Sequence, residues 1–362
     1  MVQICRHRRA IAAGLSALAA LIFAPALAQD QGPKNGTDLY DRPVLAVDPG
    51  IHTAKIQSLA VDAGGRFAVT GSDDRTVRIW SVADGTLLRT IWIPVGPANV
   101  GAVYAVAISP DGSTIAAGGY TEKQNNGTAI YLFDRESGNL VRRIADDLPN
   151  VTHFLTFSPD GCYLAATLGG SNGLRVYDRN KNWCEAFRDD QYGDTSYDAA
   201  FARDGGLATS SFDGLIRSYR YDPNSDSPNF RRVGEPFAAP SGKHPWGVAY
   251  SPDGKLLAVG YHDVAAVDIL SGTTLERVGG HKPAGVNASI AGAIDVAWSR
   301  DGQTLFAAGA VEDAPFRKLL FAWDRGGLGD EKRMTYCAAD TASGVAPYRT
   351  SESLSPRSPA SA

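Results

Sequence analysis

The apolar positions alternate over short runs of five or six residues, and each run ends at a turn phrase built on Asp-Gly or Gly-Gly. The phrase recurs as Val61-Asp62-Ala63-Gly64-Gly65, Ile108-Ser109-Pro110-Asp111-Gly112, Phe157-Ser158-Pro159-Asp160-Gly161, Phe201-Ala202-Arg203-Asp204-Gly205, Tyr250-Ser251-Pro252-Asp253-Gly254 and Trp298-Ser299-Arg300-Asp301-Gly302. From Asp62 through Ser109, Ser158, Ala202, Ser251 and Ser299 the steps are 47, 49, 44, 49 and 48 residues, a period that marks repeat architecture. Pro presets φ at the first turn position, Asp bonds the local backbone, and Gly accepts the positive φ that closes the reversal. Each phrase therefore joins two strands. A third strand follows, ending at Ile79-Trp80, Phe133-Asp134, Tyr177-Asp178, Tyr219, Val267-Asp268 or Trp323-Asp324, with Val267 taking the aromatic's place in the fifth copy. A fourth follows a Gly turn such as Asp84-Gly85 or Ser137-Gly138. Four short strands per unit predict an all-β propeller of four-stranded blades.

The stretch Ala68-Val69-Thr70-Gly71-Ser72-Asp73-Asp74-Arg75-Thr76-Val77-Arg78-Ile79-Trp80 resembles the central part of a WD repeat. The WD40-repeat propeller family is thus the one this chain resembles, over about residues 43 to 325. That resemblance implies a buried hydrogen-bond chain in the first blade from His52, Thr70 or Ser72, Asp73 or Asp74, and Trp80. The other repeats keep less: a turn Asp at Phe212-Asp213-Gly214 and His262-Asp263, and a Gly-His pair at Gly280-His281. Six repeats are visible, giving a six-bladed ring or an incomplete seven-bladed one. The sixth repeat shows no fourth strand after Asp324, and the isolated apolar segment Pro43–Asp48 is expected to supply it.

The ends carry other signals. Arg6, Arg8 and Arg9, the apolar run Ala10–Phe23 and the small-x-small site Ala26-Leu27-Ala28 read as a signal peptide over 1–28, with the mature chain starting at Gln29. A linker at 29–42, a propeller at 43–330 and a Pro- and Ser-rich disordered tail at 331–362 complete the expected organisation. The protein is then of the secreted or periplasmic bacterial type, with no stable membrane span in its mature form. Export places Cys162, Cys184 and Cys337 where disulfides form. Cys162 and Cys184 would sit roughly 9–10 Å apart across one blade, beyond bridging distance, so both are expected as thiols.

A formal charge of −4 supplies no basic field for nucleic acid or an anionic membrane. The first-to-second turns are uniformly tight. The long connections, Pro94–Ala102, Tyr120–Thr128, Asp189–Asp198, Pro236–Pro245, Gly279–Gly292 and Val311–Arg317, all fall on the opposite face, where binding usually sits. Five residues ahead of each phrase's anchor stand Gln57, Tyr104, His153, Tyr197, Trp246 and Ile294, expected to ring the channel mouth on that face. Tyr104, His153, Tyr197 and Trp246 are the candidate partner-binding residues. Asp189, Asp190, Asp194 and Asp198 form the densest acidic run, but their spacing fits no calcium loop, and a solvated acidic loop is the reading adopted. His244, His262 and His281 fall on the same face without metal-ligand spacing. No catalytic set, metal site or cofactor motif emerges. The expected function is a protein-binding scaffold acting through the loop-rich face. The alternative is a propeller enzyme of lactonase-like or quinone-cofactor type, with a metal or cofactor in the central channel.

Overall fold

The turn phrase is built as its residues dictate. In four of the six copies the serine hydroxyl bonds the turn aspartate, as from Ser109 to Asp111 Oδ1 at 2.5 Å and from Ser251 to Asp253 Oδ1 at 2.7 Å. That aspartate accepts the N–H two residues on, and the serine oxygen accepts the N–H of the next strand's first residues, as from Thr114 at 2.9 Å. Gly112, Gly161, Gly254 and Gly302 close the turns at φ of 73°, 72°, 73° and 69°. These bonds use up the polar groups of a tight reversal, leaving the flanking apolar residues to pair as strands.

The structure is a computed structural model that describes residues 48–121, 128–221, 230–284, 286, 294–314 and 317–337. The leader, the linker and residues 43–47 of the isolated segment lie outside the described residues, as does the tail beyond Cys337. Six antiparallel sheets of four consecutive strands form a six-bladed β-propeller. Blade 1 is β1 Ile56–Val61, β2 Phe67–Ser72, β3 Thr76–Ser81 and β4 Leu87–Trp92. Blade 2 is β5 Val103–Ile108, β6 Thr114–Gly119, β7 Ile130–Asp134 and β8 Leu140–Ile144. Blade 3 is β9 Thr152–Phe157, β10 Tyr163–Leu168, β11 Leu174–Asp178 and β12 Cys184–Asp189. Blade 4 is β13 Ser196–Phe201, β14 Gly206–Ser211, β15 Leu215–Arg220 and β16 Arg231–Ala238. Blade 5 is β17 Pro245–Tyr250, β18 Leu256–Tyr261, β19 Val267–Ser271 and β20 Arg277–His281. Blade 6 is β21 Asp295–Trp298, β22 Leu305–Ala314, β23 Arg317–Trp323 and β24 Glu331–Cys337.

The structure corrects the sequence reading at four points. The sixth blade draws its outer strand from Glu331–Cys337, inside the segment assigned to the tail, so Pro43–Asp48 is not needed for that role. Its residues 331–335 are all exposed, and a strand solvated at the ring's perimeter lacks the apolar alternation that would announce it. In blade 5, Leu257 pairs with Leu270 as Ala68 pairs with Trp80, so Leu270, three residues beyond Val267, stands where the aromatic belongs. Val311–Ala314 continue β22 rather than forming a loop. Cys162 is free, but Cys184 is disulfide-bonded, because the spacing argument excluded only Cys162 as its partner.

Five apolar clusters knit five of the six blade junctions. Val69, Val77 and Ile79 meet Val103, Val106 and Ile108 between blades 1 and 2. Similar clusters join blades 2 to 3, 3 to 4, 4 to 5 and 5 to 6. Among the described residues no such cluster joins blade 6 to blade 1, where Arg300 Nη2 donates to the Ala63 carbonyl. The face of blade 1 turned away from blade 2 is correspondingly polar, carrying Thr70, Arg78 and Trp80, with Arg78 Nη2 bonded to Asp48 Oδ1 at 2.7 Å.

The turn glycines supply a direct test of this account. A Cβ on Gly161 would meet nothing closer than 3.5 Å, so its substitution reports backbone strain alone. Gly161→Ala should cost about 1 kcal/mol in denaturant unfolding, and Gly161→Asn measurably less, since Asn tolerates positive φ.

Candidate functional site

The face bearing the long connections is organised by one repeated defect. At the start of each of the first five inner strands a β-bulge places one extra residue in the pairing. Ile56 pairs with Ser72 but Ser58 with Gly71, which leaves Gln57 over. The residues bulged in the same way are Tyr104, His153 and Tyr197, and in blade 5 the irregular step spans Trp246 and Gly247. Strict alternation would tie these side chains to the face occupied by the core residues two and four positions on; a bulge breaks that parity and re-aims the side chain.

The bulged residues lie side by side. Ring centroids are 6.3 Å apart for Tyr104 and His153, 4.7 Å for His153 and Tyr197, and 4.2 Å for the stacked pair Tyr197 and Trp246. The two ends of the series depart from it. Gln57 donates from Nε2 to Asp73 Oδ2 at 2.8 Å, and Ile294 is buried in the core between blades 5 and 6.

A second row, absent from the sequence reading as a set, backs the first. It consists of the residue that follows each second strand: Asp73, Tyr120, Gly169, Phe212 and His262. Their N–H groups bond the carbonyls of Lys55, Ala102, Val151, Thr195 and His244 at 2.9–3.1 Å, the same link in each of blades 1 to 5. Tyr120 packs edge-on to Tyr104 at 5.2 Å, and Phe212 sits 4.2 Å from Tyr197 and 5.8 Å from Trp246. His262 and His244 close the group, at 5.3 and 4.8 Å from Phe212. The result is an unbroken aromatic arc across blades 2 to 5, half-buried for the most part, with Tyr120 and His262 exposed. The missed signal was positional: at Asp73, Phe212 and His262 the residue stands just before the repeat's turn Asp, which Tyr120 and Gly169 lack.

Electrostatics sets the character of the arc. Burial holds the His153 imidazole down to about 4, so it stands in the arc as a neutral ring at physiological pH. Burial raises Tyr104 and Tyr197, with Asp73 adding to the first and Asp194 to the second. Burial and the neighbouring His244 lower His262. Beneath the arc, burial and the charge of Asp295 push Asp198 well above the usual carboxylate range. Asp198 Oδ2 accepts the Val248 N–H at 2.8 Å, as Ser58 Oγ accepts that of Val106 three junctions away.

The acidic run is solvated only in part, at Asp190 and Asp194. Asp189 and Asp198 are buried, Asp189 accepting from the Tyr219 hydroxyl at 2.8 Å, while Asp190 pairs with Arg175 and Asp194 accepts the Thr195 N–H. The four carboxylates share no partner. Among the described residues no three His, Cys, Asp or Glu side chains converge as metal ligands.

In blade 1 the polar chain runs through Thr70 and Asp74. The Trp80 indole N–H donates to Thr70 Oγ1 at 2.8 Å, that oxygen lies 2.7 Å from His52 Nε2, and His52 Nδ1 lies 2.8 Å from Asp74 Oδ2. Burial opposes ionisation of Asp74, yet the bonds from Thr76, the Thr53 N–H and His52 outweigh it and hold its carboxyl below the usual range. Ser72 lies beside this chain, donating to the Ala54 carbonyl at 3.2 Å and accepting the Asp74 N–H, and Asp73 turns instead to Gln57. Other blades solve the same problem differently. In blade 4 the Tyr192 hydroxyl takes the histidine's place, bonding Thr209 at 2.7 Å and Tyr219 at 2.8 Å. In blade 6 His281 stacks on Trp323 at 4.5 Å rather than joining the arc, and the chain stops there: Ala307 stands where Thr70 would be, and Trp323 Nε1 has no partner.

Thr70→Val keeps the shape but removes the oxygen shared by Trp80 and His52. Equilibrium unfolding should show a loss of about 1–3 kcal/mol, against about 1 kcal/mol or less for Ser72→Ala, whose bonds are longer and at the chain's margin. Equal losses would assign the bridging role to both hydroxyls.

The WD domain, G-beta repeat family model matches residues 50–81 and 90–128. The chain is 33% identical over 110 residues to the Small ribosomal subunit protein RACK1y of Oryza sativa subsp. japonica, covering 30% of this chain and 28% of that protein. It is 48% identical over 40 residues to the Ribosome biogenesis protein BOP1 homologs of Drosophila melanogaster and Drosophila willistoni, covering 11% of this chain and 5% of each. The chain thus spans less than a third of the length of these relatives. Both matched stretches fall in blades 1 and 2, so the chain carries WD40 repeats there, on a six-bladed propeller whose later blades keep the hairpin phrase, intact at Ser158–Gly161 and Ser251–Gly254, but less of the rest of the repeat.

Proposed function

We propose that this protein is an exported, non-enzymatic scaffold that holds a protein partner on the aromatic arc of its loop-bearing face. A WD40 propeller is suited to protein–protein interaction, and the observation that carries the reading here is the arc itself. Tyr104, His153, Tyr197 and Trp246 form a contiguous series of rings, backed by Tyr120 and Phe212. Rigid aromatic side chains on a bulged, hydrogen-bonded frame lose little conformational entropy on binding and offer large contact area, the usual character of interface hot spots. The two sides of the disc differ: tight, internally bonded Asp-Gly turns on one and the arc on the other. The Ser-Pro-Asp-Gly turns leave few polar groups free to recognise anything.

Export rests on the leader: three arginines, an apolar run too short to span a bilayer, and Ala26-Leu27-Ala28. The names of the relatives, a ribosomal subunit protein and ribosome biogenesis homologs, belong to intracellular assemblies; the leader argues against carrying that setting to this chain.

Two measurements test the reading. Affinity capture with the tagged protein, read by mass spectrometry, should retain a partner that a folded Tyr104→Ala, Tyr197→Ala, Trp246→Ala triple variant loses; retention by both removes the arc from the interface. N-terminal sequencing of the protein recovered after expression from its full gene should begin at Gln29, and an intact Met1 terminus would refute export by cleavage.

A further inference from the structure

The arc has a pole. At its blade 1 end the aromatic series stops at Tyr104, and the next position in each row is polar: Gln57 in the inner row, Asp73 in the outer. Asp73 Oδ2 is taken by Gln57, while Oδ1 is buried without a hydrogen-bond partner. No cation among the described residues pairs with Asp73, whose charge is felt by the Tyr104 hydroxyl. A half-satisfied carboxylate screened from water is costly unless a donor or positive charge is brought to it. The rest of the mouth has the same sign. Asp194 bears on Tyr197, and Asp198 and Asp295 lie one residue beyond Tyr197 and Ile294 in the channel wall. Among the described residues, Lys55 and Lys243 near this rim are exposed, Lys55 with a partner of its own, and Arg75 donates to the Ala98 carbonyl.

Aromatic faces carry negative potential, and a cation above them is attracted more strongly when other negative groups stand behind the ring. Resting on the reading of the arc as the partner-binding face, we propose that it receives an arginine side chain from a basic, extended segment of the partner, with the guanidinium over Tyr104 and Tyr120 and its charge directed toward Asp73. Arginine suits the site better than lysine. Its planar head stacks on rings, sheds water more readily than an ammonium, and keeps N–H groups at its edge for a carboxylate. The apolar stem and neighbouring residues of the same segment would then run along His153, Tyr197 and Trp246. A partner built on acidic or purely apolar residues would leave Asp73 uncompensated.

The test uses defined probes on the purified full chain. In ligand-observed NMR titrations, N-acetyl-L-arginine methylamide should bind at least fivefold more tightly than its uncharged isostere N-acetyl-L-citrulline methylamide, and raising NaCl from about 50 to 500 mM should narrow the difference. The lysine analogue should fall between them. Asp73→Asn, checked for an unchanged melting temperature, should bring arginine down to the citrulline level. Equal binding of arginine and citrulline by the wild-type protein overturns the inference without recourse to any variant, as does arginine binding that Asp73→Asn leaves intact. The two readings separate in partner capture: loss in the aromatic triple variant but not in Asp73→Asn overturns the arginine pole and leaves the face standing, whereas indifference to the triple variant removes both.

Discussion

One constraint shapes the functional face: five of the six inner strands begin with a residue that does not fit the ladder. Strand pairing fixes side chains to alternate sides, and the inner strands need both sides for packing, against the neighbouring blades and toward the axis. A residue can be freed for recognition only by breaking the alternation once, and the bulge does this at Gln57, Tyr104, His153, Tyr197 and Trp246. Because the bulge leaves the rest of each strand in register, recognition and packing can vary independently. That is why Gln, Tyr, His and Trp occupy equivalent places on one frame.

The rest of the molecule makes that frame rigid. Apolar clusters lock five junctions, and blades 1, 4 and 5 deal separately with the polar groups left between their strands. Blade 1 uses the histidine, threonine, tryptophan and aspartate chain, blade 4 puts Tyr192 in the histidine's place, and blade 5 buries Asp268 under Tyr261 and Arg277. The most complete chain occupies blade 1, which shares with blade 6 the one junction that no apolar cluster joins among the described residues. Removing one partner of the blade 1 chain strands the others in a water-poor setting.

Charge and aromaticity are divided around the mouth. Blades 2 to 5 supply rings, blade 1 supplies Asp73 and Gln57, and Asp198 and Asp295 lie deeper in the wall. Burial keeps His153 neutral, so it adds ring surface without opposing the carboxylates. The Asp198 carboxyl is raised by burial and by Asp295, so within this pair the negative charge is not fully doubled.

Much of the architecture follows from the sequence alone because its determinants are local. Ser109-Pro110-Asp111-Gly112 and its copies form their turns through bonds spanning five residues or fewer, so their spacing set the period, the blade count and the side of the disc left for long connections. The place of Tyr104, His153, Tyr197 and Trp246 at the head of each inner strand also follows from that count. What the sequence did not contain depends on residues far apart in the chain or on solvent. β24 has no apolar face because the ring's perimeter is wet. Leu270 rather than Val267 holds the aromatic's place because register is set by pairing with β18, not by composition. The ring contacts that run from blade to blade along the arc, and the partners of Asp189 and Asp198, arise only when strands from different repeats are brought side by side. Local bonding decided the blade; the meeting of blades decided the surface it presents.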